Sequence, residues 1–247
     1  MGNFKKILIE KKIDCKSIWF MRQAGRYLPE FKKIRAKNQD FIKLCFNSNL
    51  STKITLQPIK RFDLDGIILF SDILVIPHAL GQTVNFKENI GPILKPIETF
   101  KDLKKNTAEE WDETLNPIYE TVDILKKKKK DKTLIGFCGS PFTVLTYMIE
   151  GQTSKTHRKT KLFLLNYPDQ SKIIIKKLID ISIHYLSRQI EAGVDVVQLF
   201  ESWSGILEKD LFEEYIVKPN RKIVERLKQK YNIPIILFPR NSGIETK

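Results

Sequence analysis

The stretch SKIIIKKLIDISIHYLSRQIEAGVDVVQLFES, residues 171–202, decides the fold. Its first part carries apolar side chains on one face at helical spacing, at Ile174, Leu178, Ile181 and Tyr185. This pattern predicts an amphipathic helix over Ser171–Ala192, which Gly193 ends as a C-terminal cap. The run Val194–Phe200 that follows predicts a strand buried on both faces. A helix that leads directly into a buried strand is the repeating unit of a parallel α/β fold.

Four further apolar runs have the same character: Ile18–Met21, Gly66–Phe70, Thr133–Phe137 and Ile233–Phe238. Helical patterns also lie over Asn49–Phe62, where Pro58 predicts a kink or break, and over Lys209–Lys230, divided near Pro219. Five strands alternating with helices predict an α/β fold. A closed (β/α)₈ TIM barrel needs eight strands, so we expect an incomplete barrel with about five of the eight βα units. Without repeats or a linker, residues 1–247 are predicted to form a single domain.

The composition of the 247 residues, 42% hydrophobic and 29% charged, is that of an ordinary globular protein. The sequence contains no apolar run of about 18 residues and no signal-peptide core, so we expect a cytoplasmic protein without a membrane segment. The net charge of +14 fits nucleic acid, an anionic membrane or an acidic small substrate, and alone it does not choose among them. The cysteines, at positions 15, 45 and 138, form no CxxC pair, which argues against a disulfide scaffold.

The segment MRQAGRYLPEFKKIR, residues 21–35, follows the first apolar run and brings Arg22, Arg26 and Arg35 close together in sequence. Guanidinium groups bind carboxylates through two parallel hydrogen bonds, and Gly25 permits a tight turn between the first two arginines. The segment is therefore either an anion clamp or a loop with surface arginines, and its chemistry favours neither.

Polar side chains follow the other predicted strands, where barrels and open α/β sheets place their functional groups. Asp72 follows four apolar residues; it needs an arginine or a ligand N–H as partner, or else it caps the helix-like segment after it. Ser140, before Pro141, is predicted to be a helix N-cap rather than a nucleophile. Glu201 and Ser202 end the fourth run, and pairing of Glu201 with Asp72 as acid and base is conceivable from their positions.

The three histidines are scattered along the chain. His184 lies on a polar helix stripe and His157 in a basic loop, so both are predicted to be solvated, and only His78 is near a candidate site. The spacings typical of metal ligands, such as HxH or HExxH, are missing, which predicts no metal.

Four blocks in order, MRQAGRYLPE, LFSDIL with IPHALG, GSPFTVLTYMIEG and LFES, resemble the uroporphyrinogen decarboxylase family of the haem pathway. The resemblance runs from about Ile18 to the last residues and includes LQPIKRFDLDGIILFSD and the GP of NIGPIL. Four ordered blocks are a far more specific signal than a lone RQAGR.

The resemblance implies a TIM barrel that forms a homodimer, uses no metal or organic cofactor, and binds neither nucleic acid nor membrane. The implied substrate is uroporphyrinogen III, whose four acetate arms are decarboxylated to methyl groups to give coproporphyrinogen III and carbon dioxide. Asp72 and Arg22 would be catalytic. The implied substrate-binding residues are Arg22, Gln23, Ala24, Gly25, Arg26, Arg35, Asp72, Tyr147 and Ser202.

Two departures from the family pattern leave alternatives open. His78 stands where Asp or Gln is expected, and no residue here replaces a substrate-contacting histidine in a late loop of the family. One alternative is therefore an inactive porphyrinogen-binding fragment. Another is a corrinoid-linked methyl transferase of the related fold, which would need a zinc-binding set of His and Cys.

Overall fold

A computed structural model of the chain describes residues 3–10, 16–21, 27–87 and 90–242. The strands are β1 Gly66–Ile68, β2 Val84–Lys87, β3 Gly91–Leu94, β4 Thr133–Gly139, β5 Val196–Glu201 and β6 Ile235–Pro239. The helices are α1 Asn3–Glu10, α2 Pro29–Lys37, α3 Phe41–Cys45, α4 Ser48–Arg61, α5 Val75–Ala79, α6 Ala108–Lys128, α7 Pro141–Glu150, α8 Arg158–Asn166, α9 Pro168–Ala192, α10 Lys209–Phe212 and α11 Lys218–Lys230. Among these residues no helix is both long and apolar enough to cross a lipid bilayer.

Within the described part of the chain, a parallel sheet of four strands has the order β1–β4–β5–β6. Strand β4 is buried along its whole length, because its neighbours cover both edges and helices cover one face. The register pairs Phe137 with Gln198, and Gln198 with Ile236. The parallel α/β fold predicted from the helix-to-strand repeat is thus confirmed.

Helix α9 packs on one face of this sheet, between α6 and α11. Its approach is close at Gly136, where a Cβ atom would lie 2.4 Å from Oε1 of Gln189. The Gln189 side chain accepts a hydrogen bond from the Phe137 N–H (3.0 Å) and donates one to the Phe137 carbonyl (3.1 Å). Only glycine at 136 leaves room for this amide, so the residue fixes the spacing between α9 and the sheet.

The opposite face of the sheet is lined by aromatic side chains. Because side chains alternate across a strand, Phe137 points away from α9. Its ring packs edge to face on Phe200 at 5.3 Å, and Phe200 packs on Phe238 at 6.2 Å. This face corresponds to the interior of a barrel. We call the residues within four positions after the carboxyl ends of β1, β4, β5 and β6 the carboxyl rim; they include Asp72, Ser140, Ser202 and Arg240.

Most of the local predictions are confirmed, because they rest on local signals. The predicted helix over Ser171–Ala192 is α9, and Gly193 ends it with φ 122° while its N–H donates to the carbonyls of Gln189 and Ile190. The strands predicted within 66–70, 133–137, 194–200 and 233–238 correspond to β1, β4, β5 and β6. The hairpin of β2 and β3 was not predicted.

The predicted strand Ile18–Met21 does not form. The Asp65 N–H donates to the Ile18 carbonyl at 2.9 Å, but the Ile18 N–H donates to the side chain of Asp65 at 2.7 Å instead of to a neighbouring backbone carbonyl. These two hydrogen bonds place the segment beside the start of β1. The apolar composition correctly indicates that the segment lies beside the sheet, but the strand structure it predicts is wrong.

The two prolines behave differently. Helix α4 continues through Pro58 to Arg61, so of the predicted kink or break, the break does not occur. The Phe62 N–H still donates to the Pro58 carbonyl at 2.9 Å, which keeps the last turn closed. Before Pro219, in contrast, the helix widens into a π-helical turn over Glu213–Val217. The predicted division of Lys209–Lys230 is therefore confirmed, and its cause is the N–H that proline lacks.

Candidate active site

Asp72 lies at the carboxyl rim, four residues beyond the end of β1, with a half-buried side chain. Its Oδ1 accepts a hydrogen bond from the Leu74 N–H at 2.9 Å, which forms a turn before α5. None of the ion pairs formed among the described residues includes Asp72. Burial therefore dominates and raises the pKa of Asp72 to about 6, while the Leu74 N–H opposes the rise. The carboxyl turns back to the Leu74 backbone, but Leu74 and not Asp72 is the N-cap of α5, so the capping alternative is wrong.

Tyr147 lies on α7 beside this carboxyl. Burial raises the pKa of the Tyr147 hydroxyl, and the negative charge of Asp72 raises it further. The nearby Thr153 hydroxyl and the Arg240 guanidinium act in the opposite direction. The Tyr147 ring packs against the ring of Trp203, the residue directly after Ser202, with 5.9 Å between the ring centres. Tyr147 thus lies near Asp72, Trp203 and Arg240, which follow β1, β5 and β6.

Ser202 is the first residue after β5 and is half-buried. Its N–H donates to Oγ1 of Thr143 on α7 at 2.8 Å. Since Phe200 faces the aromatic side of the sheet, the alternation along β5 places Ser202 on that same side, at the rim. The arrangement brings Asp72, Tyr147 and Ser202 to one end of the sheet.

The Arg35 side chain, on α2, contacts a backbone carbonyl and an aromatic ring close to it in sequence. One guanidinium nitrogen donates to the Asn38 carbonyl just beyond the helix, and the group lies 5.6 Å from the centre of the Phe41 ring. The buried thiol of Cys45 has a raised pKa, mainly from burial, and feels the charge of Asp72 as well as that of Arg35. Arg35 therefore lies on the same side of the molecule as Asp72. Arg22, Gln23, Ala24, Gly25 and Arg26 lie outside the described residues.

Arg240 is a rim residue that the sequence analysis missed. It follows β6, its N–H donates to the Glu201 carbonyl at 2.9 Å, and its carbonyl accepts from the Ser204 hydroxyl at 2.8 Å. Burial raises the pKa of Tyr147, and the exposed Arg240 guanidinium acts in the opposite direction. The sequence signal for Arg240 is a basic residue directly after an apolar run, a signal that the arginines near the amino end also present.

Both histidines predicted to be solvated have partners instead. His157 is only 3% exposed, and its ring lies 4.6 Å from that of Trp203. Burial lowers the pKa of His157. His184 lies 2.7 Å from a carboxylate oxygen of Asp112 and packs edge to face on Trp111. A basic loop and a polar helix stripe do not reveal aromatic and acidic partners that come from distant parts of the chain.

Ser140 occupies the N-cap position of α7, as predicted, but its buried hydroxyl makes no capping hydrogen bond. Glu201 is instead the polar group at that helix start: it is 2% exposed, and Thr143 donates its hydroxyl proton to Oε1. Burial raises the pKa of Glu201 to about 7 against the lowering effect of hydrogen-bond donors, Thr143 and Asn220 among them. Glu201 therefore faces α7 and α11, whereas Asp72 faces Tyr147, which does not favour an acid and base pair.

A parallel α/β sheet with acidic, hydroxyl and basic side chains at its carboxyl rim is the arrangement of a barrel-type enzyme. Residues 2–246 match the family model described as Uroporphyrinogen decarboxylase (URO-D). Two relatives named uroporphyrinogen decarboxylase are similar over most of the chain. That of Brucella anthropi is 44% identical over 92% of this chain and 67% of the relative. That of Rickettsia bellii is 43% identical over 95% of this chain and 69% of the relative.

The chain therefore belongs to the uroporphyrinogen decarboxylase family, and the fold is that of the (β/α)₈ barrel class. Among solved structures, a methyltransferase from Methanosarcina mazei has a TM-score of 0.76, covering 95% of this chain and 67% of that one. At 17% identity this likeness shows the fold alone. The predicted α/β barrel class is confirmed, and the described part supplies four of its parallel strands.

Proposed function

We propose that this chain is a carboxy-lyase that converts uroporphyrinogen III into coproporphyrinogen III and carbon dioxide. The observation that carries the proposal is the Asp72 carboxyl, held at the rim of a barrel of this family with a single backbone donor and no ion pair among the described residues. A carboxylate short of donors is suited to accept hydrogen bonds from the pyrrole N–H groups of a tetrapyrrole.

The chemistry needs a negative group at the centre of the macrocycle. Protonation of a pyrrole carbon leaves a positive charge on the ring, and a fixed carboxylate stabilises that charge most strongly where water is excluded. The bond from the acetate methylene to its carboxylate then breaks, carbon dioxide leaves, and the electron pair returns to the ring. A second proton converts the exocyclic methylene carbon to a methyl group, and loss of the first proton from the ring carbon restores the pyrrole, so that one proton is consumed for each carbon dioxide released. Asp72 supports this sequence by charge alone, and no covalent intermediate is required.

Hydroxyl and guanidinium groups complete the proposed site. Tyr147 and Ser202 would donate hydrogen bonds to the substrate from α7 and from the end of β5. Arg22, Gln23, Ala24, Gly25, Arg26 and Arg35 would bind its acetate and propionate arms, with Arg22 also assisting proton transfer. The support for these roles is the match to the family over residues 2–246 together with the rim positions of Asp72, Tyr147 and Ser202.

We further propose that the protein acts in the cytoplasm as a homodimer, without a metal or an organic cofactor and without nucleic acid. Sedimentation of the purified chain tests the dimer, since a single monomeric boundary at micromolar concentration would contradict it.

The function is tested by incubating the purified chain with uroporphyrinogen III under anaerobic conditions. Chromatography of the oxidised products should show the loss of four carboxyl groups, alongside a full-length relative as positive control. Tight binding without any decarboxylated product would support the alternative of a porphyrinogen-binding fragment. Absence of both binding and product would overturn the proposal.

A further inference from the structure

The loop that begins at Ser202 is held by a chain of hydrogen bonds that runs away from the rim. The Ser202 N–H donates to Oγ1 of Thr143 at 2.8 Å, and the Thr143 hydroxyl donates its proton to Oε1 of Glu201. A hydroxyl has one proton and two lone pairs. Since the Thr143 hydroxyl donates its proton to Glu201, a lone pair of the same oxygen is left to accept from the Ser202 N–H. The hydrogen bonds therefore run from Ser202 to Thr143 and from Thr143 to Glu201.

Glu201 is well placed to keep the Thr143 hydroxyl in that orientation. Its carboxyl is buried at the amino terminus of α7, where the backbone N–H groups of Thr143 and Trp203 and the side chain of Asn220 stabilise its charged form. The N-terminal end of a helix attracts a negative group. The hydroxyl of Ser140, which stands at the N-cap, makes no capping bond. Glu201 thus places a carboxyl at the amino end of α7 and, by accepting the Thr143 hydroxyl proton, leaves a lone pair of Thr143 towards Ser202.

A polar side chain of α11, Asn220, lies near the same carboxyl and lowers its pKa. Asn220 donates from its side chain to the Ile216 carbonyl at 2.8 Å, within the π-helical turn before Pro219. The wider turn brings this amide close enough to lower the pKa of Glu201. A π-helical turn is an unusual element that often occurs beside functional sites. Here it places a polar side chain behind the buried carboxyl.

We propose that Thr143 and Glu201 are positioning residues that fix Ser202 at the rim so that its hydroxyl meets the substrate. This inference rests on the proposed function, because Ser202 is a substrate contact only if a tetrapyrrole occupies the rim. Neither positioning residue needs to touch the substrate. Their effect is to remove the freedom of the backbone at Ser202 before the substrate arrives.

A double-mutant cycle tests the proposal. The variants are Thr143→Val, which keeps the shape and removes the hydroxyl, Ser202→Ala, and the two together. The conservative variant Thr143→Ser is the matched control, since it keeps the hydroxyl. Each is assayed for uroporphyrinogen III binding by quenching of tryptophan fluorescence under anaerobic conditions, and for decarboxylation wherever the unchanged chain shows turnover.

We expect Thr143→Val to weaken binding about 5- to 10-fold, the loss that follows from one hydrogen bond. Thr143→Ser should stay within about twofold of the unchanged chain. In the Ser202→Ala background, Thr143→Val should cost less than about twofold, because residues that act through one another are not additive. Full additivity of the two single changes would overturn the proposal and leave Thr143 a merely structural residue.

Hydrogen exchange supplies a measurement that does not depend on the substrate. The Ser202 amide should exchange slowly in the unchanged chain and in Thr143→Ser, and quickly in Thr143→Val. If Thr143→Val does not fold, Thr143→Ala replaces it in both measurements. An equally protected Ser202 amide in the variant that lacks the hydroxyl would contradict the inference. If the unchanged chain shows neither binding nor turnover while its Ser202 amide is protected, the failure lies with the proposed function.

Discussion

The Asp72 carboxyl combines a negative charge with a single hydrogen-bond donor among the described residues, and this combination predicts how its replacement behaves. The change Asp72→Asn keeps the size of the side chain and its hydrogen bond with the Leu74 N–H, but it removes the charge. Because the carboxylate is proposed to stabilise charge that develops during the reaction, we expect kcat for uroporphyrinogen to fall at least 100-fold, of the order seen when one preorganised stabilising group is removed. Binding should change only a few-fold. Steady-state kinetics and fluorescence binding measure the two effects separately.

The matched control for that change is Asp63→Asn. The Asp63 side chain is 99% exposed and pairs with Lys132. Asp63 precedes the start of β1 and so lies at the opposite end of the sheet from the rim. This replacement should leave both kcat and binding within about twofold, since exposed ion pairs contribute little. Equal losses of binding and turnover in Asp72→Asn would contradict a role in the transition state.

Glu201 predicts a pH dependence of stability. Burial raises its pKa from 4.5 to about 7, so the folded state holds the proton more tightly than the unfolded state does. The free energy of unfolding should therefore fall as the pH rises from about 4.5 through about 7, and the loss persists above that range. Because one pKa unit corresponds to about 1.4 kcal/mol, the free energy of unfolding should fall by on the order of 3 kcal/mol over this range. Urea unfolding at a series of pH values measures it.

The variant Glu201→Gln isolates this contribution. Its amide cannot ionise, while its oxygen still accepts the hydrogen bond from Thr143. We expect its unfolding free energy to vary less between pH 5 and pH 8 than that of the unchanged chain, and to exceed it at pH 8. Parallel pH profiles for the two proteins would show that Glu201 does not titrate in this range.

The end of α7 depends on a glycine in the left-handed conformation. Gly151 has φ 77°, and a Cβ atom there would lie 2.7 Å from Cγ of Pro96 and 3.0 Å from the Leu94 carbonyl oxygen. The change Gly151→Ala therefore adds a collision to the cost of the positive φ. We expect it to lower the free energy of unfolding by about 2 to 4 kcal/mol, measured by urea denaturation.

Gly91 in the hairpin is the control for that comparison, because it shares the conformation without the collision. Its φ is 97°, and the nearest atom to a Cβ there is Oγ1 of Thr153 at 3.7 Å. Gly91→Ala should cost about 1 kcal/mol, from the backbone alone. A cost of Gly151→Ala no larger than that of Gly91→Ala would mean that Pro96 moves aside freely.

Elements were predictable where local signals suffice. The helical spacing from Ile174 to Tyr185 and the cap at Gly193 lie within one stretch of chain, and α9 formed as expected. Residues 18–21 lie beside β1 without strand structure, and the Ile18 N–H donates to the side chain of Asp65, a partner 47 positions away that apolar composition does not indicate. The sequence does not predict the hairpin of β2 and β3, because the pairing of Lys87 with Gly91 depends on strand register, which composition does not indicate.

At the scale of the molecule, the sequence indicated the barrel class and the rim but not the partners across the rim. Thr143 and Glu201 are 58 positions apart in sequence, and His157 and Trp203 come from separate loops. The order of the sheet follows the order of the strands in the chain, so it could be anticipated. Among the described residues β6 pairs only with β5, and its Leu237 is 49% exposed.

The positive charge of the whole molecule, +14, predicts that binding of a many-armed anion weakens with salt. Arg240 should account for a specific part of this effect, because its guanidinium lies at the rim and acts on Tyr147. We expect Arg240→Gln to weaken uroporphyrinogen binding about 10-fold at low salt, as expected for loss of one charge-assisted hydrogen bond to a carboxylate. It should also reduce the slope of affinity against salt concentration.

The matched control is Arg226→Gln on the outer, exposed face of α11. It changes the net charge by the same amount far from the rim, where salt screens its influence over a distance of about 10 Å at 0.1 M ionic strength. Affinity and slope should therefore stay close to those of the unchanged chain. If the two variants lose affinity equally, the attraction comes from net charge alone, and Arg240 has no particular place in the site.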